Sequence, residues 1–110
     1  MADDWRAKRL ARNEVRFREI NERLEQDLNQ LDVAGLQEFV CECGDRDCSE
    51  LVALTLEEYE HTRSHPRWFF VVPGHVYPEV EQVVERHDRF EVLEKVGATA
   101  EIATSTDPRG

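Results

Sequence analysis

The sequence lacks any apolar run that approaches the roughly 20 residues needed to span a membrane. It also lacks the apolar segment of a secretory signal near its first residue, because charged side chains follow Trp5 at once. A glycine-rich phosphate-binding loop and the serine turn of hydrolases are both missing. These absences predict a cytoplasmic protein and favour no familiar enzyme class.

Cysteine is scarce, and the three that occur, Cys41, Cys43 and Cys48, fall within eight positions. An odd number of thiols excludes full disulfide pairing within one chain, and in a reducing compartment such a cluster is more typical of metal or redox chemistry. A chain of 110 residues buries a modest core, which a bound metal commonly reinforces. The stretch therefore predicts most of a metal site, with reduced structural cysteines as the alternative.

The spacing of the cysteines fits a strand that leads into a tight turn. Cys41 and Cys43 are two positions apart, so on a strand both side chains point to the same side. Gly44 permits a reversal with positive φ, and the polar residues after it carry the chain round to Cys48. Zinc in structural sites takes four thiolate or imidazole ligands in a tetrahedron, which leaves one ligand to be found elsewhere.

Four histidines compete for that position. His75 stands on a Pro-Gly turn after an apolar strand, where a rigid backbone can present an imidazole, and we favour it. His65 is second, because its place at a helix end already accounts for it, and a water ligand is also considered. His61 is expected to be solvated, and His87 to pack on a valine stripe. The predicted structural Zn²⁺ site consists of Cys41, Cys43, Cys48 and His75.

Charge is spread unevenly along an acidic chain whose formal net charge is −10. Residues 1–30 carry seven basic and seven acidic side chains, whereas residues 31–110 carry seven basic and seventeen acidic ones. The acidic part opposes the phosphate contacts that dominate nucleic-acid affinity, so we do not expect direct nucleic-acid binding. The basic residues between Arg6 and Arg18 would instead attract an acidic protein or a phosphate group.

Residues 1–31 are predicted to form a long amphipathic helix, because apolar residues recur every seven positions and no glycine interrupts before Gly35. The helix, roughly 40 Å long, exceeds what a domain of this size needs to cover itself. Two interpretations of its apolar residues stay open. One packs its C-terminal half on the sheet through Ile20, Leu24, Leu28 and Leu31. The other docks its N-terminal half on a protein partner or a second copy through Arg9, Leu10, Arg12, Arg16 and Phe17.

The rest of the chain predicts an α+β fold in a single domain. Residues 32–96 are expected to form a zinc-binding core, a mostly antiparallel four-stranded sheet with two short helices and the metal-bearing turn. Within it, residues 68–72 predict the central strand, and Pro78 predicts the first turn of the second short helix. Residues 97–110 show no periodicity and are expected to be a flexible tail.

Several short motifs resemble those of a group of small actinobacterial proteins that has no assigned activity. They are FVCECG at residues 39–44 with Cys48, and VPGH at residues 72–75 followed by PEVE at residues 78–81. Further similarity covers residues 12–14, 17–19 and 56–60, so the resemblance extends over nearly the whole chain. The resemblance implies that Cys41, Cys43, Cys48 and His75 belong to one site.

These features predict a non-enzymatic, zinc-stabilised interaction or regulatory module, because four protein ligands leave zinc no open position for water. A thiol-based redox sensor is the alternative, since zinc-bound thiolates can be oxidised. A small metalloenzyme and an iron–sulfur protein are less favoured. The 2Fe–2S cluster of CDGSH proteins also uses three Cys and one His, but there the third Cys and the His lie close together. In this chain Cys48 and His75 are 27 positions apart.

Overall fold

The computed structural model describes residues 2–109, and the side chains of residues 5–109. This part of the chain holds no helix that is long and apolar enough to cross a membrane. The elements, in chain order, are α1 (Ala2–Leu31), β1 (Gln37–Val40), β2 (Leu51–Leu54), α2 (Leu56–Arg63), β3 (Trp68–Val71), β4 (Glu81–Arg86), β5 (Glu91–Lys95) and α3 (Ala98–Ser105).

The α+β class and the long N-terminal helix are confirmed, but the predicted single four-stranded sheet is wrong. Strands β1 and β2 form one antiparallel pair, and a separate antiparallel sheet has the order β3-β5-β4. β3, which we expected at the centre, therefore lies at an edge. β3 has the uniformly apolar sequence of a central strand because the loop after β1 covers its free edge. There Glu42 N donates to Phe70 O at 3.0 Å.

Strand β4 replaces the helix that Pro78 predicted. The valines at 80, 83 and 84 fit the spacing of a helix, but β-branched side chains also favour a strand. Pairing with β5 decides between the two, and it extends from Glu81 to Arg86 with a register shift between Val83 and Glu85. His87 consequently lies exposed beyond the end of β4 and not on a buried valine stripe.

Helix α3 occupies the segment expected to be a flexible tail. Thr99, Ala100 and Ala103 are buried, and the Arg18 guanidinium of α1 donates to Ala103 O at 2.9 Å. Small side chains give no strong apolar periodicity, which is why the sequence did not reveal this helix. The same small side chains let α3 pack against α1.

The core joins the two sheets through a cluster of aromatic rings. Phe39 of β1 stacks on Tyr59 of α2 with ring centroids 4.7 Å apart. Phe70 of β3 meets these rings edge-on, at 6.0 Å from Phe39 and 5.7 Å from Tyr59. All three side chains are fully buried, so burial of apolar surface holds the β1-β2 pair against the larger sheet.

Helix α1 presents a different face to the core than its apolar residues predicted. Ile20, Leu24 and Leu31 are exposed by 40%, 36% and 71%, and of the four residues expected to pack only Leu28 contacts the core. Leu10, which was expected to project, is only 5% exposed. The buried face is instead largely polar, with the side chains of Glu14, Arg18, Asn21, Glu22 and Glu25.

Ion pairs and hydrogen bonds offset the cost of burying the polar side chains on this face of α1. Lys95 of β5 lies 2.9 Å from a Glu81 carboxylate oxygen and also forms an ion pair with Glu14 of α1. Arg109 forms ion pairs with Glu22 and Glu25 at 2.7 and 3.1 Å. Because each contact requires one particular partner, polar contacts set the position of α1 on the core.

Candidate metal centre

The structure brings the four predicted ligands together. One ligand atom from each of Cys41, Cys43, Cys48 and His75 lies within 4.8 Å of all the others. His75 Nδ1 is 3.6 Å from Cys41 Sγ and 3.8 Å from Cys48 Sγ. A tetrahedral zinc ion with ordinary Zn–S and Zn–N bonds separates sulfur from nitrogen by about 3.6 Å. The cluster therefore has the composition of a metal site, and its two S···N distances match those around a tetrahedral ion.

The cysteine loop connects β1 to β2 and is fixed by its own backbone. Cys41 N donates to Glu50 O and Cys48 N donates to Asp45 O, both at 3.0 Å. Gly44 does not have the positive φ that we expected. It is required for a close approach instead, because a Cβ at this position would lie 2.8 Å from Leu10 Cδ2 of α1.

A tight turn between β3 and β4 presents His75. His75 N donates to Val72 O at 3.0 Å, and Gly74 has a φ of 91°. Proline followed by a residue with positive φ is the pattern of a type II turn, which glycine adopts without strain. Gly74 N also donates to the Glu91 carboxylate of β5 at 2.9 Å, which ties the turn to the larger sheet.

Glu50 supports the imidazole from the other side of its ring. While His75 Nδ1 faces the sulfur atoms, His75 Nε2 lies 2.9 Å from a Glu50 carboxylate oxygen. Histidine ligands of metals commonly donate their second ring N–H to a carboxylate, which fixes the tautomer and strengthens the ligand. This role of Glu50 was not predicted, because no motif distinguishes Glu50 from the many other acidic residues of the chain.

The thiols share their protons unequally. The hydrogen bond between Cys41 and Cys43 lowers the pKa of Cys43 to about 5 and raises the pKa of Cys41, to which burial adds. Burial also raises the pKa of Cys48. Val72 N donates to Cys41 Sγ at 3.2 Å, a backbone contact of the kind that stabilises thiolate ligands. A bound cation replaces the remaining thiol protons, so metal binding releases protons and weakens as the pH falls.

Glu42 lies between two ligands but points away from them. Its carboxylate accepts hydrogen bonds from Asn21 of α1 at 2.8 Å, from Arg63 of α2 at 2.6 Å and from the backbone of Phe70 in β3 at 3.2 Å. The carboxylate is completely buried. This role of Glu42 was not predicted, although the alternation of side chains along an extended chain indicates it.

The other three histidines lie outside the cluster. His65 is exposed and stacks on Trp68 with ring centroids 3.6 Å apart, so it is not the fourth ligand. His61 and His87 both contact the Glu85 carboxylate, at 2.7 and 2.9 Å. Among the described side chains, those of residues 5–109, only the Cys₃His group places three or more His, Cys, Asp or Glu side chains close enough to share an ion.

The predicted docking residues on α1 do not form one surface. Arg9, Arg12 and Arg16 are exposed, as a docking role requires. Phe17 is half-buried, and Leu10 is buried against the cysteine loop near Gly44. The N-terminal half of the helix thus presents arginines to solvent. The two apolar residues of the predicted docking set, Leu10 and Phe17, are not exposed beside them.

Comparisons of the chain with protein-family models, with curated proteins and with solved structures found no match. The function of this centre is therefore inferred from its geometry and its chemistry. Three sulfur atoms and one imidazole nitrogen, converging from two separate loops, constitute a site that can hold a metal ion.

Proposed function

We propose that this protein is a small, non-enzymatic module folded around one structural zinc ion, and that it acts by binding another protein. The observation that carries the proposal is the convergence of the Cys41, Cys43, Cys48 and His75 ligand atoms within 4.8 Å. Thiolate and imidazole ligands in a tetrahedral arrangement favour zinc over calcium or magnesium, which prefer oxygen. Four protein ligands complete the coordination of zinc and leave no position for a substrate or a reactive water.

The ion would join two parts of the molecule that share no strand pairing. The cysteines lie on the loop between β1 and β2, whereas His75 lies on the turn between β3 and β4. A link of this kind stabilises a small domain whose core is modest. The proposed role of zinc is thus to hold the two sheets, and the helix packed on them, in place.

Docking is assigned to α1 because most of the described side chains on its outer face are exposed to solvent. Arg9, Arg12 and Arg16 are exposed on a chain whose net charge is −10, so this end of the helix differs in charge from the rest. A basic, exposed helix face of this kind favours a protein partner with acidic or mixed charge. The proposed setting is the cytoplasm, where the thiols stay reduced.

Metal analysis of purified variants tests the zinc proposal. The wild type is expected to contain one equivalent of zinc by mass spectrometry, and alanine at any of Cys41, Cys43, Cys48 or His75 should remove most of it. Each substitution deletes one of the four bonds that hold the ion. His65→Ala is the matched control, because it removes an exposed imidazole outside the cluster and should retain the full equivalent.

A graded variant sharpens this experiment. Glu50→Gln should weaken zinc binding about 10- to 100-fold in a chelator competition, because the carboxylate on His75 Nε2 is lost while all four ligands remain. If His75→Ala keeps a full equivalent at wild-type affinity, the fourth ligand is water and the closed-site proposal fails.

A redox sensor is the second candidate, favoured by the accessibility of part of the cluster. Cys48 is half-buried, and a surface cavity of about 300 Å³ is lined by Cys43, His75 and Tyr77 among others. An oxidant that reaches a zinc-bound thiolate converts it first to the sulfenic acid, which no longer binds zinc well.

Mild peroxide is expected to release zinc from the wild type if the centre is a sensor, together with loss of titratable thiols. A chromogenic zinc chelator measures the release, and a subsequent thiol reductant with added zinc should reverse it. Retention of the ion at peroxide concentrations that oxidise an exposed cysteine in a reference peptide would contradict the sensor and leave the structural role.

A further inference from the structure

We propose that α1 docks on a second copy of this chain, antiparallel and about a two-fold axis, through an outer groove lined by Arg16, Glu19, Ile20, Arg23, Leu24 and Asp27. This inference rests on the docking role proposed above for α1, but it does not depend on which metal the centre holds. It moves the contact from the predicted Leu10 to the helix face opposite the core.

The groove is apolar at its centre and open to solvent. It encloses about 310 Å³, and Ile20 and Leu24 stand exposed by 40% and 36% along it. Leu31 continues the same stripe and is exposed by 71%. Single exposed apolar residues are ordinary, but three at helical spacing on one face form a seam that another helix can cover.

The charges around the groove identify its occupant. Two basic side chains, Arg16 and Arg23, and two acidic ones, Glu19 and Asp27, surround the two apolar residues. The groove is therefore neutral on a chain of net charge −10. A strongly acidic or strongly basic partner would leave two of these charges facing like charges. A surface of the same mixed composition matches all four.

An antiparallel two-fold arrangement pairs these charges in detail. When the axis is level with the midpoint between residues 21 and 22, Arg16 and the partner's Asp27 lie at the same height. Ile20 then lies within one residue, about 1.5 Å, of the partner's Leu24 along the helix. Glu19 lies equally close to the level of the partner's Arg23. The symmetry produces every contact twice, as an isologous interface requires.

A parallel arrangement fails the same comparison. A two-fold axis along the helices places identical residues at one height, so Arg16 meets the partner's Arg16 and Asp27 meets the partner's Asp27. Like charges directly opposite each other are unfavourable. The sequence of charges along the groove therefore selects the antiparallel pair.

The size of the groove indicates a dimer that dissociates readily. One face of a single helix buries less than the roughly 1,200 Å² of a standard stable interface. Pairing should therefore depend on protein concentration, with monomer and dimer both present over an experimentally accessible range.

Analytical ultracentrifugation of the zinc-loaded protein over a concentration series tests the proposal. The wild type should show a monomer–dimer equilibrium. Arg16→Asp alone and Asp27→Arg alone should each raise the dissociation constant roughly tenfold or more, because two attractive contacts become repulsive. An equimolar mixture of these two variants should regain wild-type affinity as a heterodimer, since every repulsive contact is again attractive.

Two further variants complete the design. Leu24→Lys should abolish the dimer while the circular dichroism stays unchanged, because lysine favours a helix and this side chain is not part of the core. Arg86→Asp, at an exposed position on β4 with the same change of charge, should leave the dimer intact. A wild type that remains monomeric up to about 1 mM, or a dimer unaffected by Arg16→Asp, overturns the proposal.

The zinc content of the same samples separates this proposal from the preceding one. A dimer with the expected variant pattern but no bound zinc would refute the zinc-centred function and keep the antiparallel pair. A zinc-loaded monomer would refute the pair and keep the metal centre.

Discussion

Chelation of the bound metal is expected to lower the free energy of unfolding by about 4 kcal/mol, the stabilisation given by a ligand at a thousandfold excess over its dissociation constant. For a chain of this length the midpoint of thermal unfolding should fall by about 15 °C or more. The reason is structural, since an ion held by the four proposed ligands would connect the cysteine loop to the His75 turn and so join the two sheets. Thermal unfolding followed by circular dichroism, with and without chelator, measures the effect.

Cys43→Ala provides the control for chelation. This variant should already unfold at the lower temperature, and the chelator should not change its midpoint. Added zinc should restore the wild type but not the variant. The stabilisation of the wild type by zinc should also decrease as the pH falls, because thiols that regain protons release the ion. An unchanged wild-type midpoint in chelator would contradict the structural role of the metal.

Replacement of Lys95 by methionine is expected to destabilise the protein by about 3–5 kcal/mol, the usual cost of removing one partner from a buried ion pair. Lys95, Glu14 and Glu81 are all almost completely buried, so the substitution leaves two carboxylates without their cation. Burial already raises the pKa of Glu81 to about 7. Urea unfolding at several pH values measures the loss.

The pH dependence of this variant has a definite sign. A carboxyl whose pKa is higher in the folded state than in the unfolded state binds its proton more tightly when folded. It therefore supports folding at low pH, and that support disappears as the pH rises through the folded-state pKa. Lys95→Met should be most destabilised above pH 7 and should partly recover towards pH 5.

A triple variant controls for the loss of the lysine side chain. Glu14→Gln and Glu81→Gln combined with Lys95→Met remove the buried charges together, and this combination should be clearly more stable at pH 8 than Lys95→Met alone. If Lys95→Met lowers the free energy of unfolding by less than about 1 kcal/mol at pH 8, Lys95 does not compensate the two buried carboxylates, contrary to what the structure indicates.

The metal ligands could be predicted because the relevant signals are local. The i, i+2 spacing of Cys41 and Cys43 favours one side of an extended chain, even though β1 ends at Val40, just before them. The Pro-Gly sequence before His75 specifies a rigid turn. The Thr55–Glu58 capping box at the start of α2 is equally local, and its two reciprocal hydrogen bonds are present at 3.1 and 2.9 Å. Glu50 could not be found in this way, because its role exists only once two distant loops meet.

The division of the sheet and the orientation of α1 depend on contacts between distant residues. Val83 and Val84 are compatible with a helix and with a strand, and only pairing with β5 selects the strand. One of the two interpretations of the apolar residues of α1 packed Ile20 and Leu24 on the sheet, whereas the buried face is largely polar. Nothing local to Glu14 indicates that Lys95, far along the chain, compensates its charge. Apolar periodicity predicts a buried face only where burial is driven mainly by apolar contacts.

The position of Glu42 has a consequence for how binding events at separate sites affect one another. Two of the proposed metal ligands flank a side chain that holds Asn21 of α1, so a bound ion and the helix would stabilise the same short segment of backbone. Thermodynamic reciprocity then requires that any partner which binds α1 in its native position raises the affinity for the ion by the same factor by which the ion raises the affinity for the partner. Under the proposals made above for zinc and for α1, loss of zinc would thereby also weaken the binding of a partner to the helix.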